Sequence, residues 1–183
     1  FFVPAALGTY TLYIIMEYCA RGDLERCISE AEGGRLSEEE IGQMLTPVLE
    51  GLRQMHARGL VHRDVKPGNV LVSSSGLGML ADFGLAKHLD RASKTGANTR
   101  AVGSGRYMAP EIEQGLYSAT IDVFAFGILL LDACGVKLAK PLRLQADVDA
   151  AIAQIPSDIY SEHLIAAIRA AITIKSEERA RPS

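Results

Sequence analysis

The most regular run of apolar and polar positions begins at Ser37. Ser37-x-x-Glu40 forms a capping box, and apolar residues follow at Ile41, Met44, Leu45, Val48, Leu49, Leu52 and Met55. This spacing predicts a helix of about five turns with one buried face. Pro47 inside it predicts a kink and Gly59 predicts its stop. Upstream, residues 11–18 (TLYIIMEY) are β-branched, aromatic and apolar over a strand's length, which predicts a buried strand leading into a linker broken by Gly22. Asp23 is placed to cap a short helix carrying Leu24, Cys27 and Ile28 that ends before Gly33-Gly34.

Beyond Gly59, three short apolar runs (Leu60-Val61, Val70-Leu71-Val72 and Met79-Leu80-Ala81) predict strands around a very polar segment. Residues 82–110 are polar, glycine-punctuated and without a period. So long a connection predicts a mobile, functional loop. Residues 121–134 (IDVFAFGILLLDAC) are apolar nearly all round, which predicts a buried helix, and residues 162–174 predict an alanine-rich amphipathic one. The interval 135–160 is only weakly patterned. No repeat or low-complexity tract interrupts the chain, so the whole reads as helix-dominated after a strand-containing start.

Composition narrows the class. With 183 residues, 48% of them hydrophobic and 22% charged, the chain can bury a core. Its 19 Lys and Arg against 22 Asp and Glu give a net charge of -3. That balance supplies no basic field, so neither nucleic acid nor an anionic membrane is expected as a partner. The longest apolar stretch, residues 123–131, is far short of a membrane span. Three cysteines without a CxxC pair (Cys19, Cys27 and Cys134) argue against a disulfide framework or a zinc site, and fit a reducing, cytoplasmic or nuclear compartment.

Chemistry concentrates in His62-Arg63-Asp64-Val65-Lys66-Pro67-Gly68-Asn69, then Asp82-Phe83-Gly84, then Ala109-Pro110-Glu111. Singly these would read as a charged surface cluster and turns. Together and in this order, the chain resembles a eukaryotic protein kinase, whose motifs are HRDxxxxN, DFG and APE. Phosphoryl transfer spreads negative charge in its transition state, so a protein must position, neutralise and accept one proton. The resemblance implies Asp64 as the group that orients the acceptor hydroxyl and takes its proton. Asp82 and Asn69 are implied as Mg²⁺ ligands, hard oxygens suited to a metal that keeps few protein ligands. Lys66, two residues after Asp64, matches the lysine of Ser/Thr-specific members that contacts the transferred phosphate. The segment from Gly103 to Glu111 resembles the Ser/Thr form GTxxYxAPE, with Ser104 in place of the threonine and Gly105 in place of a proline. His62 is implied to pack with Phe83 in the core and not to act as acid or base. His56, His88 and His163 are expected at the surface.

The segment Met16-Glu17-Tyr18-Cys19-Ala20-Arg21-Gly22-Asp23 resembles the kinase hinge. Its offsets imply Met16 as gatekeeper, Glu17 and Cys19 as main-chain adenine contacts, Asp23 as a ribose contact and Leu71 as the floor under the base. Arg63 before the catalytic aspartate implies switching by phosphorylation of the activation segment, by an activating kinase or autophosphorylation. Ser93, Thr95 and Thr99 are candidate sites, Thr99 first because it lies nearest Ser104. Asp122, in a segment similar to the family's DxWSxG, is implied to hold the catalytic-loop backbone. Arg181 is implied to pair with Glu111.

The fold expected is therefore α+β and protein-kinase-like, mainly the α-helical large lobe with the hinge and the end of the small-lobe sheet. Residues 1–18 would be the end of the small-lobe strands and the start of the hinge, and residues 19–183 hinge and large lobe. The chain starts at Phe1 and contains no glycine-rich loop, strand lysine or partner glutamate for that lysine, which reads as a truncated domain. The implied function is ATP- and Mg²⁺-dependent phosphorylation of Ser/Thr hydroxyls on protein substrates by the full-length parent, with the fragment alone inactive. The alternative is a pseudokinase or scaffold lobe that binds partners without catalysis. A small-molecule or lipid kinase is disfavoured by the APE segment. The stretch LYIIMEYCARGDL further resembles the hinge of NIMA-related kinases.

Overall fold

The computed structural model describes residues 2–5, 9–12, 15–88 and 105–179. The chain opens with an antiparallel hairpin of β1 (Phe2–Ala5) and β2 (Thr9–Leu12), with Phe2 opposite Leu12. The strand expected over 11–18 is corrected: only its first two residues lie in β2, and residues 15–19 have no regular structure. Ile15, Met16 and Tyr18 are 81%, 61% and 86% exposed, because among the described residues no element packs over them. Hydrophobicity alone could not reveal that missing cover.

Asp23 caps α1 (Leu24–Glu30) by accepting from Arg26 N at 2.8 Å, and Leu24, Cys27 and Ile28 are buried as their spacing predicts. Helix α2 (Glu38–Ala57) begins with the capping box expected from Ser37 and Glu40. It buries Ile41, Met44, Leu45, Val48 and Leu52 and continues as one helix through Pro47. Leu49 is instead 37% exposed, at the edge of the buried stripe.

The three short apolar runs form strands. Strand β3 (Leu60–Val61) pairs with β6 (Lys87–His88), and β4 (Val70–Val72) pairs with β5 (Gly78–Leu80), both antiparallel. Two narrow ladders thus flank the polar segment between Val61 and Val70. The expectation of an unstructured connection over 82–110 is corrected at its ends. Residues 83–85 and 105–107 form single helical turns and 87–88 a strand, while 89–104 lie outside the described residues.

Helix α3 (Thr120–Ala133) is the centre of the core, and every one of its residues is buried. That explains a sequence with no polar face. Helix α4 (Gln145–Ile152) falls in the stretch that reads as weakly patterned; it buries Val148, Ala151 and Ile152, and Asp147 accepts from Arg143 N and Leu144 N at its start. Helix α5 (Glu162–Ala171) ends three residues before the span expected for it. Tyr160 just before it donates to Leu36 O at 2.7 Å, and Ser161 N donates to Glu38 at the start of α2. Among the described residues no helix is long and apolar enough to cross a membrane.

Close approach explains one glycine of α3. A Cβ on Gly127 would lie 2.5 Å from Ile172 Cγ2 and 2.8 Å from Ala171 Cβ, both buried. A Gly127→Ala change gains about 1 kcal/mol of helix propensity but forces repacking that costs about 1–3 kcal/mol. Melting followed by circular dichroism is expected to show a net fall of several degrees for Gly127→Val. Gly42→Ala, on the exposed face of α2 with nothing within 4 Å, should raise the melting temperature. Equal melting of Gly127→Val and parent would contradict this packing.

Candidate active site

The polar segment between β3 and β4 is held by groups the helices bring beneath it. Asp122, in the first turn of α3 and 1% exposed, accepts from His62 N and Arg63 N, each at 2.8 Å, one on each carboxylate oxygen. Those bonds hold Arg63 in the left-handed region at φ 73°, which a non-glycine residue occupies only when its surroundings demand it. The reading of Asp122 as the anchor of this loop is thereby matched in the geometry.

His56 is a correction. Its side chain is only 10% exposed and its Nε2 lies 2.9 Å from Asp122 Oδ2, because the C-terminal turn of α2 runs under the start of α3. His163 is exposed as expected, whereas the side chain of His88 lies outside the described residues. His62 is fully buried. Its Nδ1 accepts from Asp64 N at 3.3 Å, so Nε2 carries the proton and donates to Ala81 O at 3.1 Å. Its ring meets Phe83 edge-on at 5.4 Å. Both nitrogens are engaged, and the residue serves as a strut between the Asp64 loop and the Asp82 loop.

Asp64, Lys66 and Asn69 converge. Asp64 is 9% exposed, and its Oδ2 accepts from Lys66 Nζ at 2.6 Å and from Asn69 Nδ2 at 2.8 Å. Asn69 Nδ2 also donates to Asp64 O at 2.8 Å, which uses both amide hydrogens and fixes the orientation of the amide. Two acceptors remain without a partner among the described residues, Asp64 Oδ1 and Asn69 Oδ1. The main chain then ties in the next loop, since Ala81 N donates to Asn69 O at 2.8 Å. Asp82 follows at once, exposed, in the left-handed region at φ 60°, with Oδ1 accepting from Gly84 N at 3.2 Å. A Cβ on Gly84 would stand 3.1 Å from that oxygen.

This donor set suits a small hard cation. Among the described residues no three His, Cys, Asp or Glu side chains cluster as a protein-made metal cage would need. One amide oxygen and one exposed carboxylate fit Mg²⁺, which takes most of its ligands from phosphates and water.

The hinge-like residues are only partly brought to this site. Asp23 forms an isolated antiparallel bridge with Leu71, supported by Val72 N donating to Gly22 O at 2.8 Å. Glu17 and Cys19 stand on the irregular segment before it, linked through a turn in which Gly22 N donates to Cys19 O at 3.1 Å and Gly22 adopts φ 74°. Met16 lies on the same exposed segment. Arg63 sets its guanidinium 4.9 Å from the centre of the Tyr117 ring, and its buried Nε has no hydrogen-bond partner among the described residues. Ser93, Thr95, Thr99, Ser104 and Arg181 lie outside the described residues.

Among the described residues, Glu111 is paired by Arg179; the Arg181 expected at this carboxylate lies outside them. Arg179, fully buried, pairs with both carboxylate oxygens of Glu111 and donates to Thr120 O, Thr173 O and Ile174 O. The turn at Ser176–Glu178 after α5 delivers Arg179 inward, a pairing that the sequence reading did not include. Sequence reasoning also missed a cluster nearby. Tyr107 OH donates to Asp132 Oδ2 at 2.6 Å, and Arg106 Nη2 lies 3.0 Å from the same oxygen. Burial pushes the carboxyl of Asp132 and the phenol of Tyr107 upward.

The profile of the protein kinase domain family matches residues 5–177. The chain belongs to the protein kinase domain family. Among curated relatives, the serine/threonine-protein kinase named nek2 of Dictyostelium discoideum is 36% identical over 179 residues, covering 92% of this chain and 42% of its own. The mitogen-activated protein kinase kinase mkk2 of Aspergillus fumigatus is 39% identical over 137 residues, covering 73% of this chain and 27% of its own. A Drosophila melanogaster relative named as a membrane-associated tyrosine- and threonine-specific cdc2-inhibitory kinase is 42% identical over 129 residues, 69% of this chain and 23% of its own. The chain thus spans less than half the length of these three relatives. The mixed, mostly helical architecture with small antiparallel ladders described above agrees with that family's fold.

Proposed function

We propose that the full-length protein carrying this kinase domain phosphorylates serine or threonine hydroxyls of protein substrates from ATP. The observation that carries the reading is the asymmetric Asp64 carboxylate, with Oδ2 clamped by Lys66 and Asn69 and Oδ1 without a partner among the described residues. In this mechanism Asp64 Oδ1 orients the acceptor hydroxyl and takes its proton. The hydroxyl oxygen bonds to the γ-phosphorus of ATP while the bond to the bridging oxygen breaks, and ADP leaves. Lys66, beside Asp64, stabilises charge on the transferred group. Asn69 Oδ1 and Asp82 would hold Mg²⁺, which when bound neutralises phosphate charge. Asp23 and Leu71, already paired, would border the ribose and the base, and the main chain of Glu17 and Cys19 would meet adenine behind Met16.

Lys66 and the Gly103–Glu111 pattern favour serine or threonine as acceptor, and the name of the nek2 relative, a serine/threonine-protein kinase, runs the same way. A phosphate on Thr99, added by an activating kinase or in autophosphorylation, would find the guanidinium of Arg63. The retention of Asp64, Lys66, Asn69 and Asp82 together favours catalysis over a scaffold role, since binding alone has no use for all four. The 183 residues hold neither a glycine-rich loop nor a strand lysine, so the chain by itself is expected to transfer phosphate poorly and tests belong on the full-length protein.

Nucleotide titration tests the metal ligands. Calorimetric ADP binding by the full-length protein should tighten about tenfold or more with Mg²⁺ present, and Asp82→Ala should remove that gain. A gain undiminished in Asp82→Ala would remove Asp82 from the site.

A further inference from the structure

Beside the loop of Asp64 lies a cavity of about 210 Å³, lined by Glu25, Ile28, Pro67, Arg106, Asp132 and Lys137 among others. Pro67 directly follows Lys66, so a substrate chain presenting its hydroxyl to Asp64 passes this opening within a few residues at about 3.3 Å each. Its volume is below the roughly 300 Å³ at which small-molecule pockets begin, and suits one side chain of a longer ligand.

The charges lining the cavity are not equally available. Asp132 is 2% exposed, and its Oδ2 is already occupied by Tyr107 OH at 2.6 Å and Arg106 Nη2 at 3.0 Å. Lys137 Nζ stands 3.9 Å from its other oxygen. This carboxylate is thus already matched by the two cations beside it. Arg106 is 34% exposed and spends only Nη2 on Asp132 and Tyr107, leaving Nε and Nη1 without partners among the described residues. Lys137 is 59% exposed. Against these two accessible cations stands one exposed carboxylate, Glu25, beside Gly68 and within electrostatic reach of Arg106.

We propose that this cavity receives an anionic side chain of the protein substrate, a few residues from the acceptor, and that Arg106 and Lys137 set that preference. The proposal rests on the phosphoryl-transfer reading for the identity of the occupant. Guanidinium and ammonium donors with unfilled hydrogen-bonding capacity bind carboxylates or phosphates through short, charge-assisted bonds. Asp132 acts as a positioning residue that holds the Arg106 fork in place.

Fluorescence anisotropy with the full-length protein and four labelled 12-residue peptides tests it. All carry one serine in a neutral background, flanked by Glu, Gln, Lys or phosphoserine. The Glu peptide should bind about tenfold or more tightly than its Gln twin, and the advantage should shrink with added salt. Arg106→Gln should abolish the advantage. Because Arg106 also supports buried Asp132, exposed Lys137→Gln serves as a second variant that should reduce the advantage without lowering the melting temperature. A stronger phosphoserine peptide would assign the site to phosphorylated substrates, and an equal or weaker one to acidic residues. Equal binding of the Glu and Gln peptides, no binding, tighter binding of the Lys peptide, or an advantage surviving both variants would overturn the proposal. Phosphorylation assays on the same peptides separate the two readings. Equal transfer to Glu and Gln peptides rejects the cavity's role, whereas selective binding without transfer rejects the kinase reaction.

Discussion

Asp64→Asn is expected to lower kcat for peptide phosphorylation by about 10²–10⁴-fold in the full-length protein, the range by which a positioned general base contributes. The substitution preserves the shape of the side chain and a carbonyl oxygen for Asn69 Nδ2. It removes the charge that Lys66 Nζ meets at 2.6 Å and the oxygen that would accept the substrate proton. The loss should fall on kcat with KM for the peptide little changed, because Asp64 acts where charge develops and not on the remote parts of the substrate. Melting should stay near that of the parent, since the loop is fixed through Asp122, His62 and the main chain. Steady-state kinetics decides it, and a kcat within threefold of the parent would remove Asp64 as the base.

Arg179→Met is expected to cost about 3–5 kcal/mol of stability, a large part of the 5–15 kcal/mol that holds a typical domain together. Arg179 is fully buried, and Glu111 would be left at 7% exposure with, among the described residues, only Thr120 Oγ1 at 3.4 Å in reach. Three carbonyls, of Thr120, Thr173 and Ile174, would lose their donor as well. Lysine cannot replace the planar fork, so Arg179→Lys should recover little. Adding Glu111→Gln should restore part of the loss, because it removes the unpaired charge. Melting of the three proteins measures this. Since about 2–4 °C accompanies each kcal/mol at this chain length, a fall of roughly 10 °C is expected for Arg179→Met. Melting within a degree of the parent would show that Glu111 has another partner.

The local elements were legible because local chemistry makes them. Ser37 and Glu40 close a capping box whatever the rest of the chain does, and the all-round apolar run of α3 has nowhere to go but the core. The catalytic loop was legible because its residue types sit close together in the sequence, and the structure joins Asp64, Lys66 and Asn69 directly. What the sequence hid depends on distant chain paths. His56 reads as a solitary polar residue until Asp122, 66 positions later, arrives beneath it. Arg179 carries no local sign of pairing with Glu111, 68 positions earlier, until the turn after α5 brings it there. The Arg106–Tyr107–Asp132 cluster joins residues 25 or more positions apart, with no local spacing to announce it. Residues 15–18 show the converse failure, since an apolar run stays exposed where none of the described elements covers it.

Transfer of the γ-phosphate tests the central claim most directly. The purified full-length protein, supplied with Mg²⁺ and γ-labelled ATP, should place label on serine or threonine of a protein substrate. Asp64→Asn, equally folded, should leave only background. Absence of label with the parent protein while it is folded and binds nucleotide, or label undiminished in Asp64→Asn, would contradict the account.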